Sequence, residues 1–415
     1  MWKRLLLIAI FSFTVNLLNA YLYISPFDHA YSDMRGYLER GYRIAVNDNF
    51  ISFDAFYPPG TAFLYALVFK CFGFALGCHM IIIIQAAMIA GAAFITGLTA
   101  RELFSTSRLP LIIALGVACY YPFISQASFF MSEPAFIFTG LLGQHLYIRS
   151  LRIGGNHRRF CYIGFLFAIC LLIKGQGIGF VLACLACLIF RRASHLRPFA
   201  GTLVGSLTVV LLLQMFLNRA IASTPGFYLA ANDSFNTYLG QSRREAVGCL
   251  DRKGGYFYIF HQNNAFFDHR LLIPVTLPTS ILDREYFSEQ TRSLWREDPW
   301  RQLVRSAHSV RELFSIIPHW PLRNVEHAQK HDVTPQWVAL FLVSLPAIYS
   351  VVIAVRRRRF IFEVTFLLVP VLAMAGIAFL SMGQPRYLIP FHYNIFLLTI
   401  PAYLELRNLF SAKAE

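Results

Sequence analysis

Long apolar runs, separated by short basic or aromatic-polar breaks, set the pattern of the chain. They fall at about residues 5–22, 79–100, 109–124, 133–149, 160–174, 177–190, 199–217, 336–355, 360–381 and 388–405. Their lengths suit helices rather than strands, although several fall short of the ~20 residues that cross a bilayer. They predict an all-α polytopic membrane protein with about ten transmembrane helices. Basic residues then set direction. Lys3 and Arg4, Arg101 and Arg108, Arg149 to Arg159, Arg191 to Arg197, Arg356 to Arg359, and Arg407 with Lys413 share one side if both termini are cytoplasmic. Such a bias is what membrane insertion imposes on short loops. The arrangement requires that residues 61–77 do not cross. Preceded by Pro58 and Pro59, they are expected to form an amphipathic helix in the outer interface. An eleven-span alternative would place the clusters at 149–159 and 191–197 outside, against the bias.

This topology divides the chain into a transmembrane module at 1–217 with a first outer loop at 23–78, an extracytoplasmic segment at 218–333, and C-terminal helices at 334–415. The segment at 218–333 is rich in prolines and aromatics and long enough for a small folded cap. Shorter outer turns are expected around Ser132-Glu133-Pro134, Lys174-Gly175-Gln176-Gly177 and Met382-Gly383-Gln384-Pro385-Arg386-Tyr387. The opening Met1-Trp2-Lys3-Arg4 resembles a signal peptide, but Ala20 to Tyr23 offers no small-residue cleavage site, so an uncleaved first helix is expected.

Composition agrees. Of 415 residues, 56% are hydrophobic and only 14% charged, with a mean hydropathy of +0.52; soluble domains average about 25% charged. The net charge of +15 sits at helix ends rather than in a stripe with stacking aromatics, so nucleic acid is not an expected partner. Eight cysteines fall mostly in apolar spans, and Cys184 with Cys187 reads as two small core residues rather than a redox or zinc pair.

The chemistry-bearing residues gather at the expected outer face. Asp33, in Tyr31-Ser32-Asp33-Met34-Arg35-Gly36-Tyr37, follows the first span; it is either a helix cap or a base at the membrane surface, where a carboxylate stays ionised at little cost. Asp48 and Asp54 compete for that part. Glu133 before Pro134 is equally a helix-start signature or a second carboxylate beside Asp33. Lys174 and Arg386 break the positive-inside pattern, so each either snorkels to headgroups or meets a lipid phosphate. His79, His261, His269, His308 and His319 show no metal-ligand spacing. Tyr238 to Glu245 could contact a sugar or anion, or form a solvated helix.

An early outer Asp, the Tyr57-Pro58-Pro59-Gly60 start of an interfacial helix, Ser132-Glu133-Pro134-Ala135-Phe136 and Arg386-Tyr387-Leu388-Ile389-Pro390 together resemble the GT-C superfamily of polyprenyl-phosphate-dependent glycosyltransferases. In appearance the chain is nearest the protein mannosyltransferase and aminoarabinose transferase type, over about residues 1–217 and 334–405. It departs where Ser32 precedes Asp33 in place of a second acid, and where Tyr57 stands in place of a charged residue. The resemblance implies a polyprenyl-phosphate sugar donor and a glycan, lipid or protein acceptor. Asp33 and Glu133 become catalytic, Arg386 and Lys174 bind the donor phosphate, and Tyr57 and Tyr387 contact substrate. Transfer by single displacement with inversion, at the extracytoplasmic face of a bacterial inner membrane, is expected. No cofactor is obligatory and no residue pattern indicates a divalent metal, in keeping with the lack of a Gly-rich phosphate loop. A secondary transporter or lipid-linked-glycan flippase would instead carry its ionisable groups at mid-membrane, and a non-catalytic assembly protein is the third alternative.

Overall fold

The computed structural model of the chain describes residues 1–27, 33–46, 56–104, 108–154, 156–190, 197–222, 228, 230, 232–242, 247–250, 256–259, 273–276, 283–314, 340–381, 383 and 385–411. Within them each apolar run lies on helix. In order these are α1 (Trp2–Leu18, continued by a π-turn Asn19–Tyr23), α2 (Asp33–Ala45), α3 (Gly60–Phe104), α4 (Leu109–Cys119), α5 (Tyr121–Ile124), α6 (Glu133–Ile153), α7 (His157–Ile173), α8 (Ile178–Phe190) and α9 (Arg197–Ala222). After the segment that follows α9, the helices α13 (Leu345–Arg357), α14 (Ile361–Leu380), α15 (Pro385–Leu388), α16 (His392–Leu398) and α17 (Ile400–Ser411) complete the bundle.

The expected ten spans are not borne out. Four helices among the described residues are long and apolar enough to cross a membrane: Trp2–Tyr23, Gly60–Phe104, Ile361–Leu380 and Arg386–Leu409. A fifth is gained if Leu109–Cys119 and Tyr121–Ser128, bent by 58°, make one span. The reason is geometric. The 17 residues of α7 and the 13 of α8 rise only ~25 Å and ~20 Å at ~1.5 Å each, and α6 carries Gln144, His145 and Arg149 within its 21 residues. The apolar helices nevertheless make this a membrane protein.

Residues 60–104 form one helical element broken at Gly73, whose φ of 71° places it in the left-handed region that glycine occupies without steric cost. Before the break, Thr61, Ala62, Tyr65, Ala66, Val68 and Phe69 are buried while Phe63, Leu67 and Lys70 are exposed. That stretch is therefore two-faced, and it packs on α2. After the break the helix enters the core and packs against α1, α4 and α6. The core's centre is aromatic: Phe136 of α6 lies 5.6 Å from Phe180 of α8 and 5.8 Å from Phe391, and Phe180 and Phe391 are 5.2 Å apart, centroid to centroid.

Between α9 and α13 lie α10 (Asp233–Ser242), α11 (Arg284–Glu297) and α12 (Pro299–Leu313). Three four-residue strands, β1 (Val247–Leu250), β2 (Tyr256–Ile259) and β3 (Ile273–Thr276), add a small sheet to the otherwise helical chain. Its order is β2-β1-β3, antiparallel on one side of β1 and parallel on the other. Asp283 and Asp298 cap α11 and α12 through bonds from the backbone N–H of Tyr286 and Arg301. Cys184 and Cys187 are buried, as expected of core residues.

Candidate active site

Five breaks in the helical pattern converge at one end of the bundle: the start of α2, the Phe56–Pro59 loop, the turn before α6, the α7–α8 junction and α15. Each delivers one side chain, or two, to a single polar cluster.

Asp33 opens α2, where a carboxylate also complements the helix dipole. Its Oδ1 accepts from the Tyr57 hydroxyl at 2.9 Å, and its Oδ2 accepts from Arg386 Nη1 at 3.2 Å. Arg386 donates its Nη2 to the Tyr387 hydroxyl at 3.3 Å, and its guanidinium lies 5.0 Å from the centre of the Tyr387 ring. The other side of the cluster is a second ion pair, Lys174 Nζ to Glu133 Oε1 at 2.6 Å, with Ser132 donating to Glu133 Oε2 at 3.3 Å. The Lys174 ammonium is 5.5 Å from the same Tyr387 ring, so two cations share one aromatic, a favourable placement for both.

All six residues singled out from the sequence (Asp33, Glu133, Arg386, Lys174, Tyr57 and Tyr387) are thus brought together, as two acid–base pairs. The two pairs differ in access. The Asp33 and Arg386 side chains are 24% and 20% exposed, whereas Glu133 is 4% exposed. Glu133 is committed to Lys174 and does not pair with Asp33. The floor beneath it is apolar: Phe136, one turn along α6, belongs to the buried aromatic stack.

Local packing fixes these positions. Along α2 the buried residues Met34, Tyr37, Leu38 and Gly41 recur at helical spacing and seat the helix on α3. The turn before α6 is pinned by its Met131 carbonyl, which accepts from the Tyr65 hydroxyl at 3.2 Å and from Gln85 Nε2 at 3.1 Å. Lys174 follows α7 in extended backbone, its N–H still bonded to the Cys170 carbonyl, so its side chain leaves the helix direction.

Sequence reasoning assigned no role to two residues of this site. Tyr37 packs its ring 5.1 Å from Tyr57. Arg40, only 4% exposed, donates Nη2 to the Tyr57 carbonyl at 3.3 Å and lies 5.8 Å from the Tyr57 ring. The signal was present: positions 33, 37 and 40 are a turn apart on one face of α2. Burial, followed by the Asp33 carboxylate, pushes the Tyr37 and Tyr57 phenols well above the ordinary tyrosine range, so both remain neutral donors.

Among the described residues no three His, Cys, Asp or Glu side chains converge on a point that could hold a metal ion. The Asp33 and Glu133 carboxylates are each matched by a cation, Arg386 and Lys174. Of the other candidates, His79 stacks against Tyr21 at 5.8 Å and meets the tilted Phe27 ring at 4.7 Å. Tyr238 packs on Phe287. Asp48, Asp54, His261, His269, His319 and Arg243 to Glu245 lie outside the described residues.

No protein-family model matches the chain, and neither does any curated protein. Solved structures do. The archaeal oligosaccharyltransferase AglB from Archaeoglobus fulgidus, in complex with an inhibitory peptide and a dolichol-phosphate, aligns over 99% of this chain and 51% of its own, with a TM-score of 0.51 at 15% identity. The Archaeoglobus fulgidus oligosaccharyltransferase in complex with Zn and sulfate aligns over 98% of this chain and 49% of its own, with a TM-score of 0.55 at 16% identity. The chain therefore spans about half the length of these structures. At such identities the likeness is one of fold.

Proposed function

We propose that the chain is an integral membrane glycosyltransferase that moves a sugar from a polyprenyl-phosphate donor to an acceptor at the extracytoplasmic face. The observation that carries this reading is the meeting of Asp33 and Arg386, 353 positions apart in sequence, at 3.2 Å in a partly exposed cluster on a GT-C fold. The oligosaccharyltransferase AglB, solved with a dolichol-phosphate, shows that this fold accommodates a polyprenyl phosphate in at least one protein.

The roles follow from access and charge. Asp33 is the base: it is reachable, and the Tyr57 hydroxyl orients it. Arg386 binds the donor phosphate through a guanidinium suited to bidentate oxygen pairs. Lys174, locked to Glu133, contributes positive potential behind it. As the acceptor oxygen or nitrogen attacks the anomeric carbon, its proton passes to Asp33. The bond from the anomeric carbon to the phosphate oxygen breaks, and the electron pair leaves on polyprenyl phosphate, whose added negative charge faces Arg386. One displacement inverts the anomeric centre. Asp33→Asn is expected to lower transfer from a labelled polyprenyl-phosphate sugar by about 10²–10⁴-fold in reconstituted vesicles with membrane insertion intact; undiminished transfer would remove Asp33 from the mechanism. Which sugar is moved is read from glycans and lipids compared with and without the protein.

A further inference from the structure

Both oxygens of the Asp33 carboxylate are engaged within the protein, by Tyr57 on Oδ1 and Arg386 on Oδ2. A base cannot take a proton through an oxygen already accepting a charge-assisted bond as readily as through a free one. The same guanidinium is also the group that must grasp the donor's phosphate. Those two demands compete. We propose that the donor itself unlocks the base: its phosphate draws Arg386 away from Asp33 Oδ2, so that the carboxylate becomes competent toward the acceptor only once the donor is seated. This inference rests on the glycosyltransferase reading above.

The geometry says which contact gives way. Tyr57 is held from several directions, by Arg40 at its carbonyl, by the Tyr37 ring at 5.1 Å and by the Phe56 ring at 4.8 Å, and its bond to Asp33 is the shorter. It stays and keeps the carboxylate in place. Arg386 reaches Asp33 with one nitrogen at 3.2 Å, a single contact that a phosphate replaces with two parallel ones. Lys174 is not the cation that changes hands. Its 2.6 Å bond belongs to a carboxylate that is 4% exposed, and releasing it would strand a buried charge. The Tyr387 ring, shared by both cations, gives the guanidinium a surface over which to swing. In the step that follows, the acceptor's O–H or N–H bond breaks toward Asp33 Oδ2, and the leaving phosphate keeps the electron pair of the broken glycosyl bond. Arg386 remains with the phosphate. The consequence is order: donor first, acceptor second.

The test is binding rather than turnover. In the full-length protein in nanodiscs, Asp33→Asn removes the competitor for Arg386 and is expected to bind a fluorescent short-chain polyprenyl monophosphate about tenfold more tightly than the wild type while losing transfer. Equal or weaker binding overturns the unlocking proposal. Unchanged affinity with transfer lost overturns the unlocking alone, whereas transfer retained overturns the base assignment beneath it. Should Asp33→Asn not fold, the wild type supplies a second measurement, carbodiimide modification of Asp33 followed by peptide mass spectrometry. Adding polyprenyl monophosphate is expected to raise the yield severalfold, and a neutral polyprenol is expected to leave it unchanged. A yield that stays level or falls with the monophosphate overturns the proposal.

Discussion

Replacing Lys174 by methionine keeps the side chain's length and removes its charge, which isolates what the inner ion pair does for the fold. In the native protein the ammonium sits 2.6 Å from Glu133 Oε1, with the two side chains 15% and 4% exposed. Without it the Glu133 carboxylate keeps the Ser132 hydroxyl at 3.3 Å and the more distant charge of Arg386. Breaking a buried pair on one side costs about 3–5 kcal/mol. Lys174's residual access to solvent places the expected loss near the lower figure, about 3 kcal/mol. Adding Glu133→Gln removes the stranded charge, so the double variant is expected to return to within about 1 kcal/mol of the wild type, a coupling of at least about 2 kcal/mol. Equilibrium unfolding in mixed micelles, followed by tryptophan fluorescence across all four members of the cycle, measures this. Lys174→Met within about 0.5 kcal/mol of the wild type, or a double variant as damaged as the sum of the singles, would show that the pair is solvated and that Glu133 is not committed to Lys174.

Alkaline pH probes the neighbouring phenols. Tyr57 and Tyr37 are raised above the ordinary value of 10.0, so the folded state holds their protons more tightly than the unfolded state does. The associated stability is fully present below about pH 10 and is lost as pH rises beyond it. Tyr57→Phe is expected to melt lower at neutral pH but to show a flatter decline above about pH 10; parallel curves for variant and wild type would refute this. Gly383→Ala probes the approach to Arg386. A Cβ there would meet the Ser309 backbone of α12, so a destabilisation of about 1–3 kcal/mol, with a weaker affinity for polyprenyl monophosphate, is expected. An unchanged melting temperature would place α12 farther from that turn.

The amphiphilic pattern of the chain carried the gathering of the site but not its pairing. Apolar runs and basic clusters locate helix ends, and four separate turns (before Asp33, at Ser132-Glu133, at Lys174 and at Arg386) were assigned to one face on that basis alone; in the structure their side chains touch. Which acid meets which base depends on how far side chains reach across α2, α7 and α15, and hydropathy does not encode reach. Glu133, read as either a helix start or a second carboxylate on the Asp33 face, is found paired with Lys174. Arg40 was passed over for a related reason: within Asp33-Met34-Arg35-Gly36-Tyr37-Leu38-Glu39-Arg40 it looks like one charge among several, and only its place on the Asp33 face singles it out. Ten spans exceed the four or five that length and composition support among the described residues, because a hydropathy window counts apolar residues and not the distance they climb. The sheet at β1–β3 had no alternating pattern to announce it.

The turn that carries Arg386 does not stand alone. Gly383 presses on the backbone of α12, which also holds α10 through bonds from Arg305 Nη1 to the carbonyls of Gln241 and Ser242. Gln241 in turn reaches Ser306 and the last carbonyls of α14, Phe379 and Leu380. A tilt of α12 would therefore press on the Gly383 backbone, three positions before Arg386. Deleting α12 would remove both the surface on which Gly383 rests and the guanidinium that holds α10.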